Sequence, residues 1–150
     1  MGQSLVQNYL HIVFSTKYRQ ALIHPPYEEK LHAYISGICK ELDCPALIVG
    51  GYTDHIHILC RLSRKLALMT LVQKVKANSS KWMKAKDKNL SGFRWQDGYG
   101  AFSVNPAEVE VVIRYIENQH AHHSKKKFKE EYSAFLNKYQ VKYDERYVWE

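Results

Sequence analysis

Three cysteines, four prolines and seven glycines are a small share of a 150-residue chain. Cys39, Cys44 and Cys60 are odd in number and lack a paired metal-ligand spacing, which fits a reducing cytoplasm better than a disulfide framework. They are expected to serve as small buried hydrophobes. There is no Gly/Ser or Pro-rich tract to act as a linker, and no period of about 20 to 50 residues repeats, so the chain reads as one continuous domain over residues 1–150. Apolar runs such as Ala46 to Val49 break within a few residues, far short of the roughly twenty needed to cross a bilayer, so no membrane partner is expected. The start Met1-Gly2-Gln3-Ser4-Leu5-Val6 has no basic cluster ahead of an apolar run, and Val6 stands where a myristoylation signal needs Ser or Thr. No export signal or lipid anchor is expected. Acidic residues are also in deficit, 15 against 22 basic ones, for a net charge of +7 before the eight histidines are counted. That balance favours a polyanionic partner without specifying one.

What the chain does have is core material: 45% hydrophobic and 13% aromatic residues, enough to offset its ordering entropy. Leu10 to Thr16 is β-branched and aromatic and too short for a helix, so it reads as a strand. Pro25-Pro26 suits a helix start, and Leu31, Tyr34, Ile35, Ile38 and Leu42 follow at helical spacing until Pro45. Ala46 to Gly50 and Asp54 to Leu62 read as a hairpin. Leu66, Met69, Val72, Val75 and Trp82 mark a second helix whose other face carries Lys65, Lys74, Lys76, Lys81 and Lys84. Phe93 to Val104 predicts a further strand or hairpin. Asn105-Pro106, with Glu108 behind it, is an N-cap that opens a helix bearing Val109, Val112, Ile113 and Ile116. Ser124 and Lys125 to Lys127 interrupt it before a last helix carrying Phe128, Tyr132, Phe135, Leu136 and Tyr139. This order predicts an α+β fold, a ferredoxin-like antiparallel sheet with helices packed on one face and the other face free for a ligand.

The chemistry centres on Asp54-His55-Ile56-His57-Ile58-Leu59-Cys60. A strand period of two puts His55, His57, Leu59 and Arg61 on one face and Ile56, Ile58, Cys60 and Leu62 on the other. With the apolar face on the helices, the imidazoles share the accessible side at a spacing that suits one metal ion. A bare His-x-His also arises by chance as two surface histidines. On the helix after Pro106, Tyr115 and Gln119 are four residues apart, about 40° from each other on adjacent turns. Taken alone, they read equally as a tyrosine at a core margin beside a solvated glutamine. Together, the four residues fill distinct roles: a divalent ion on His55, His57 and Gln119 to draw charge from a phosphodiester, and Tyr115 to supply the attacking oxygen. No dedicated base for the tyrosine stands out.

At this point the chain resembles the single-tyrosine HUH transposases of bacterial insertion sequences and their repeat-associated relatives. The resemblance runs through His11-Ile12-Val13-Phe14-Ser15-Thr16-Lys17, Asp54 to Leu59, Trp95 with Gly98-Tyr99, and Tyr115-Ile116-Glu117-Asn118-Gln119. Each motif is weak alone, and their order is specific. The resemblance implies His55, His57 and Gln119 as metal ligands and Tyr115 as the nucleophile that forms a 5′-phosphotyrosine on single-stranded DNA, leaving a free 3′-hydroxyl for rejoining. It implies hairpin-guided recognition of element ends. It also implies a homodimer, in which the tyrosine helix can serve the other subunit's histidines. The expected setting is a bacterial or archaeal cytoplasm, at the nucleoid. Energy stored in the phosphotyrosine makes ATP unnecessary, in keeping with the lack of a Gly-x-x-x-x-Gly-Lys-Ser/Thr loop. Two imidazoles and an amide are softer than Mg²⁺ prefers, so Mn²⁺ is expected to bind at least as tightly.

Lys17 and Arg19, the lysines Lys74, Lys76 and Lys81, and Arg94 beside Trp95 are candidate DNA contacts, against a plain reading in which lysine faces are solvated and Trp95 is core. His11 reads as structural, and His120, His122 and His123 as a solvated helix end that touches DNA. The rival function is a non-catalytic DNA- or RNA-binding module on the same sheet, which explains the charge but not Tyr115 with Gln119. A histidine-triad hydrolase would need a histidine where Leu59 stands. Relaxases and rolling-circle initiators share the histidine pair, but size and motif order favour the transposase.

Overall fold

The computed structural model describes residues 2–150. Four strands, β1 (Tyr9–Ser15), β2 (Ala46–Tyr52), β3 (His55–Arg61) and β4 (Gly100–Val104), form one antiparallel sheet in the order β2-β3-β1-β4. Helix α1 (Tyr27–Glu41) joins β1 to β2, and α2 (Leu68–Lys84) lies between β3 and β4. The result is the α+β, ferredoxin-like arrangement expected from the order of elements. Phe93 to Tyr99 contributes only an isolated bridge, Thr16 to Trp95, ahead of a shorter β4. Trp95 is core: its indole N–H donates to Ser79 Oγ at 3.0 Å, and its ring stands edge-on to Phe14 and Phe93.

The pleat sorts each strand. Ile12 and Phe14 of β1 and Ile56, Ile58 and Cys60 of β3 pack beneath Leu31, Ile35 and Cys39 of α1 and Leu71, Val72 and Val75 of α2. The three cysteines are free and buried, and burial pushes the Cys39 and Cys60 thiols up to about 12. They behave as apolar groups.

The expectation of helices on one face only is corrected. After β4, Asn105 caps a short 3₁₀ turn by accepting from the Ala107 N–H, and the chain continues as α3 (Val109–Glu117), α4 (Gln119–His123) and α5 (Phe128–Lys138). The apolar stripes of α3 and α5 have to be buried somewhere, and the open side of the sheet is the surface within reach. Ile116 packs there with Leu59 and Val104, and Phe128, Tyr132 and Leu136 pack with Val13 and Phe102. The face read as accessible is therefore roofed. The helix read as continuous from Pro106 breaks at Asn118, and Ser124 to Lys127 separate α4 from α5 as expected.

Close approach of α3 to β2 depends on Gly50. A Cβ at Gly50 would lie 2.6 Å from Ile116 Cγ2 and 3.1 Å from the Ile116 carbonyl oxygen. Gly50→Ala is therefore expected to cost about 1–3 kcal/mol by overpacking. Thermal melts check this, at about 2–4 °C per kcal/mol for a chain of this size; an unchanged melting temperature would show that α3 yields freely.

Candidate active site

The β1–β3 register sets Ser15 opposite His55, Val13 opposite His57 and His11 opposite Leu59, all on the roofed face. His55 and His57 are fully buried, which corrects their expected accessibility. Their outer nitrogens are already engaged. His55 Nδ1 meets Asp54 Oδ1 at 2.7 Å, and His57 Nδ1 meets His11 Nε2 at 2.8 Å. Both rings consequently aim Nε2 at one point beneath α4 and α5, the arrangement of a metal-binding imidazole oriented by an outer partner. His11, read as structural, is in fact this second partner, stacked on His57 with ring centroids 5.0 Å apart.

Gln119 opens α4 and is buried, with Oε1 2.9 Å from His55 Nε2. Tyr115, one turn earlier on α3, is half-buried, with its ring centroid 5.8 Å from that of His57. The four residues expected to act together thus meet within one chain. Glu131 joins them. Its carboxylate accepts from His57 Nε2 at 3.0 Å and from Gln119 Nε2 at 3.2 Å, and it takes a short hydrogen bond from the Tyr115 hydroxyl. His122 and His123 also turn toward Glu131, at 3.3 and 3.2 Å, rather than lying on a solvated helix end. Glu131 escaped the sequence reading although a signal existed: it interrupts the apolar stripe Phe128, Tyr132, Phe135, where a lone carboxylate is out of place unless it is paired.

The electrostatics follow from burial. Burial lowers His57 to about 4, with Glu131 pulling the other way, and burial followed by the neighbouring His57 lowers His11 well below its ordinary value. Burial alone would raise Glu131, yet the adjacent His123, the hydrogen bond from His57 and the nearby His55 hold it far below the usual carboxylate range. For Tyr115, burial, then the charge and hydrogen bond of Glu131, raise the phenol far above 10, so the metal-free site keeps it protonated. Donors from His55, His57, His123 and Glu131 lie within 4.8 Å of one another. This donor set of imidazole and carboxylate fits a divalent cation.

A family model described as "Transposase IS200 like" matches residues 4–119. The chain belongs to the IS200-like transposase family. Among its relatives, ISDra2 transposase TnpA of Deinococcus radiodurans is 23% identical over 115 residues, spanning 73% of this chain and 82% of that protein. Two solved structures share the fold of this transposase. One is a Deinococcus radiodurans protein assigned as a transposase, with a TM-score of 0.63 at 20% identity, covering 79% of this chain and 96% of that one. The other is a REP-associated tyrosine transposase bound to a REP hairpin, with a TM-score of 0.60 at 11% identity, covering 82% of this chain and 73% of that one.

The basic residues expected to contact DNA are scattered in the transposase. Lys76 is committed elsewhere: its ammonium donates to the Gln96, Asp97 and Gly98 carbonyls at 2.8, 3.3 and 2.6 Å, which removes it from the free phosphate contacts. Lys74 lines a groove between α1 and α2, across the sheet from the histidines, and Lys81 is exposed on α2. Lys17 pairs with Asp97 at 3.3 Å, and the Lys17 N–H donates to the carbonyl of exposed Arg94. Arg19 reaches the centre's vicinity. It donates to the Trp149 carbonyl and lines a cavity of about 290 Å³ with Asp54, His123, Lys126 and Lys127. A second cavity, of about 180 Å³, opens beside Tyr115, Glu131 and Lys126. No helix of the described residues is long and apolar enough to cross a membrane.

Without metal, the site should weaken on acidification. As pH falls through about 6.5 the unfolded chain protonates His11 and His57, whereas the folded chain holds His57 neutral down to about 4. The unfolded state then binds more protons, so stability falls with pH across this window, by up to about 3 kcal/mol for His57. His123, raised by the neighbouring Glu131 carboxylate against burial, acts in the opposite sense but is one group against four, since burial also lowers His32 and His122. Melts in chelator between pH 7 and 4.5 should show the decline, smaller in His57→Gln; a flat profile would contradict the assignment.

Proposed function

We propose that this transposase cleaves and rejoins single-stranded DNA at hairpin-bearing ends of a mobile element, with Tyr115 as nucleophile. One observation carries the reading: the Tyr115 hydroxyl bonds the same carboxylate, Glu131, that meets His57 and Gln119, with His55 on Gln119, beside a pocket open to the surface. In the cleavage step a Tyr115 oxygen–phosphorus bond forms as the bond from phosphorus to the 3′-oxygen breaks, the phenol giving up one proton and the departing 3′-oxygen taking one up; attack by a 3′-hydroxyl on the phosphotyrosine reverses it and joins the strands. A divalent ion, Mg²⁺ or Mn²⁺, held by His55, His57 and Gln119 would supply charge withdrawal from the scissile phosphate. His11 and Asp54 keep the two imidazoles turned toward it.

Hairpin-guided action is supported by the structural neighbour solved with a REP hairpin. A homodimer is the assembly the family resemblance implies. Within one chain the Tyr115 ring lies 5.8 Å from that of His57, centroid to centroid, which supports a site built from a single subunit's residues. Arg19, Lys126 and Lys127 flank the cavity beside His123, and they are the residues we assign to the strand's phosphates there. Lys17 and Arg94 lie at the same end of the sheet and extend that track. The expected setting is the cytoplasm, at the nucleoid, where single-stranded ends arise.

Labelled single strands from both flanks of the gene, incubated with Mn²⁺, Mg²⁺ or chelator and run on denaturing gels, test the reading. The expected result is a metal-dependent covalent adduct, lost in Tyr115→Phe while noncovalent binding stays within about twofold, and absent with duplex. Binding without any adduct would favour a non-catalytic binding module. The log of affinity should fall linearly with log salt, and replacing Lys126 and Lys127 together by Ala should reduce the slope by about 1.4, at about 0.7 per single-strand phosphate contact. An unchanged slope would place the strand elsewhere.

A further inference from the structure

Helix α5 lies beyond residues 4–119, the stretch that the family model matches, yet it delivers a carboxylate into the middle of the histidine cluster. Glu131 is 2% exposed. Its two oxygens face different groups. Oε1 lies 3.0 Å from His57 Nε2 and 3.5 Å from His55 Nε2, the two nitrogens left pointing inward. Oε2 takes the Tyr115 hydroxyl and the Gln119 amide and lies 3.2 Å from His123 Nε2. Among the described residues, no lysine or arginine pairs with this carboxylate. Buried carboxylates need a compensating positive charge or a full set of donors, and a carboxylate focused between two imidazoles is the donor pattern that divalent cations select.

A second observation points the same way. His123 Nε2 is buried and, despite its nearness to Glu131 Oε2, makes no hydrogen bond of proper geometry. Ion–donor bonds of about 2.2 Å set donor atoms about 3.1 to 4.4 Å apart around six-coordinate ions. Donor atoms that lie within 4.8 Å of one another close onto such an ion with movements of a few tenths of an ångström.

We propose that Glu131 Oε1 is a ligand of the divalent ion held by His55 and His57, so that α5 completes the metal centre. Through Oε2 the same carboxylate ties the Tyr115 hydroxyl to it. The inference rests on the reading of His55 and His57 as metal ligands. It makes the last helix part of the catalytic apparatus rather than a cover over the sheet, and it gives the ion a hard anionic donor that the two imidazoles and the Gln119 amide lack.

Mn²⁺ binding to the full chain without DNA, followed by the loss of the free-ion electron paramagnetic resonance signal and by calorimetry, tests it apart from catalysis. Glu131→Gln keeps the size and the hydrogen-bonding reach, and should weaken Mn²⁺ at least about tenfold, with Glu131→Asp intermediate. The rise in melting temperature with added Mn²⁺ should shrink in parallel in Glu131→Gln, compared with each protein's own metal-free melt. Equal or tighter binding by Glu131→Gln would overturn the proposal, showing a carboxylate that must leave before the ion enters. Wild-type protein that takes up no Mn²⁺ at millimolar concentration, and behaves like His55→Ala, would overturn the histidine reading as well.

Discussion

The side-chain alternation of β3 is the constraint on which the rest depends. Ile56, Ile58 and Cys60 are committed to the core beneath α1 and α2, so the pleat sends His55 and His57 to the opposite side. Neither histidine can leave that side without dragging three core residues into it, because a one-residue slip inverts every side chain of the strand. Pairing with β1 on one edge fixes the partner behind His57, since the register that places Val13 opposite His57 also brings His11 to its Nδ1. The site is thus oriented by the same interactions that form the core, with no separate scaffold for the chemistry.

Burying the site changes what its groups do. Had the histidine face been open to water, as the half-apolar pattern of β3 implied, His57 would titrate as an ordinary imidazole. Beneath α3 to α5 it is held neutral, Glu131 is held as the anion and Tyr115 as the phenol. Desolvation is the leading influence on His57 and on Tyr115, and the carboxylate escapes it only because several donors converge on it.

The strands, the first two helices and the motif residues were legible because they obey short periods: two along β3, three and four along α1 and α2, and four from Tyr115 to Gln119. What escaped was long-range. Nothing local says that a last helix with a Phe128, Tyr132, Leu136 stripe turns back over the sheet, and without that return Glu131 and His123 are surface residues on paper. Lys76 misled in the opposite direction. It sits on the basic side of an amphipathic helix, yet the loop Gln96 to Gly98 folds against it and its ammonium satisfies three carbonyls. Side-chain partners that come from an irregular loop leave no periodic trace.

The contact between Gly50 and Ile116 has a mechanical meaning. It seats α3, and with it Tyr115, on β2, which lies at the edge of the sheet and is hydrogen-bonded to a neighbouring strand on one side alone. The histidines ride instead on β3, paired along both sides. Edge strands are the more compliant members of a sheet and interior strands the stiffer ones. Compliance is therefore divided between the two halves of the site. The histidine pair sits on a strand held along both sides, and the helix that carries Tyr115 rests against a strand held along only one.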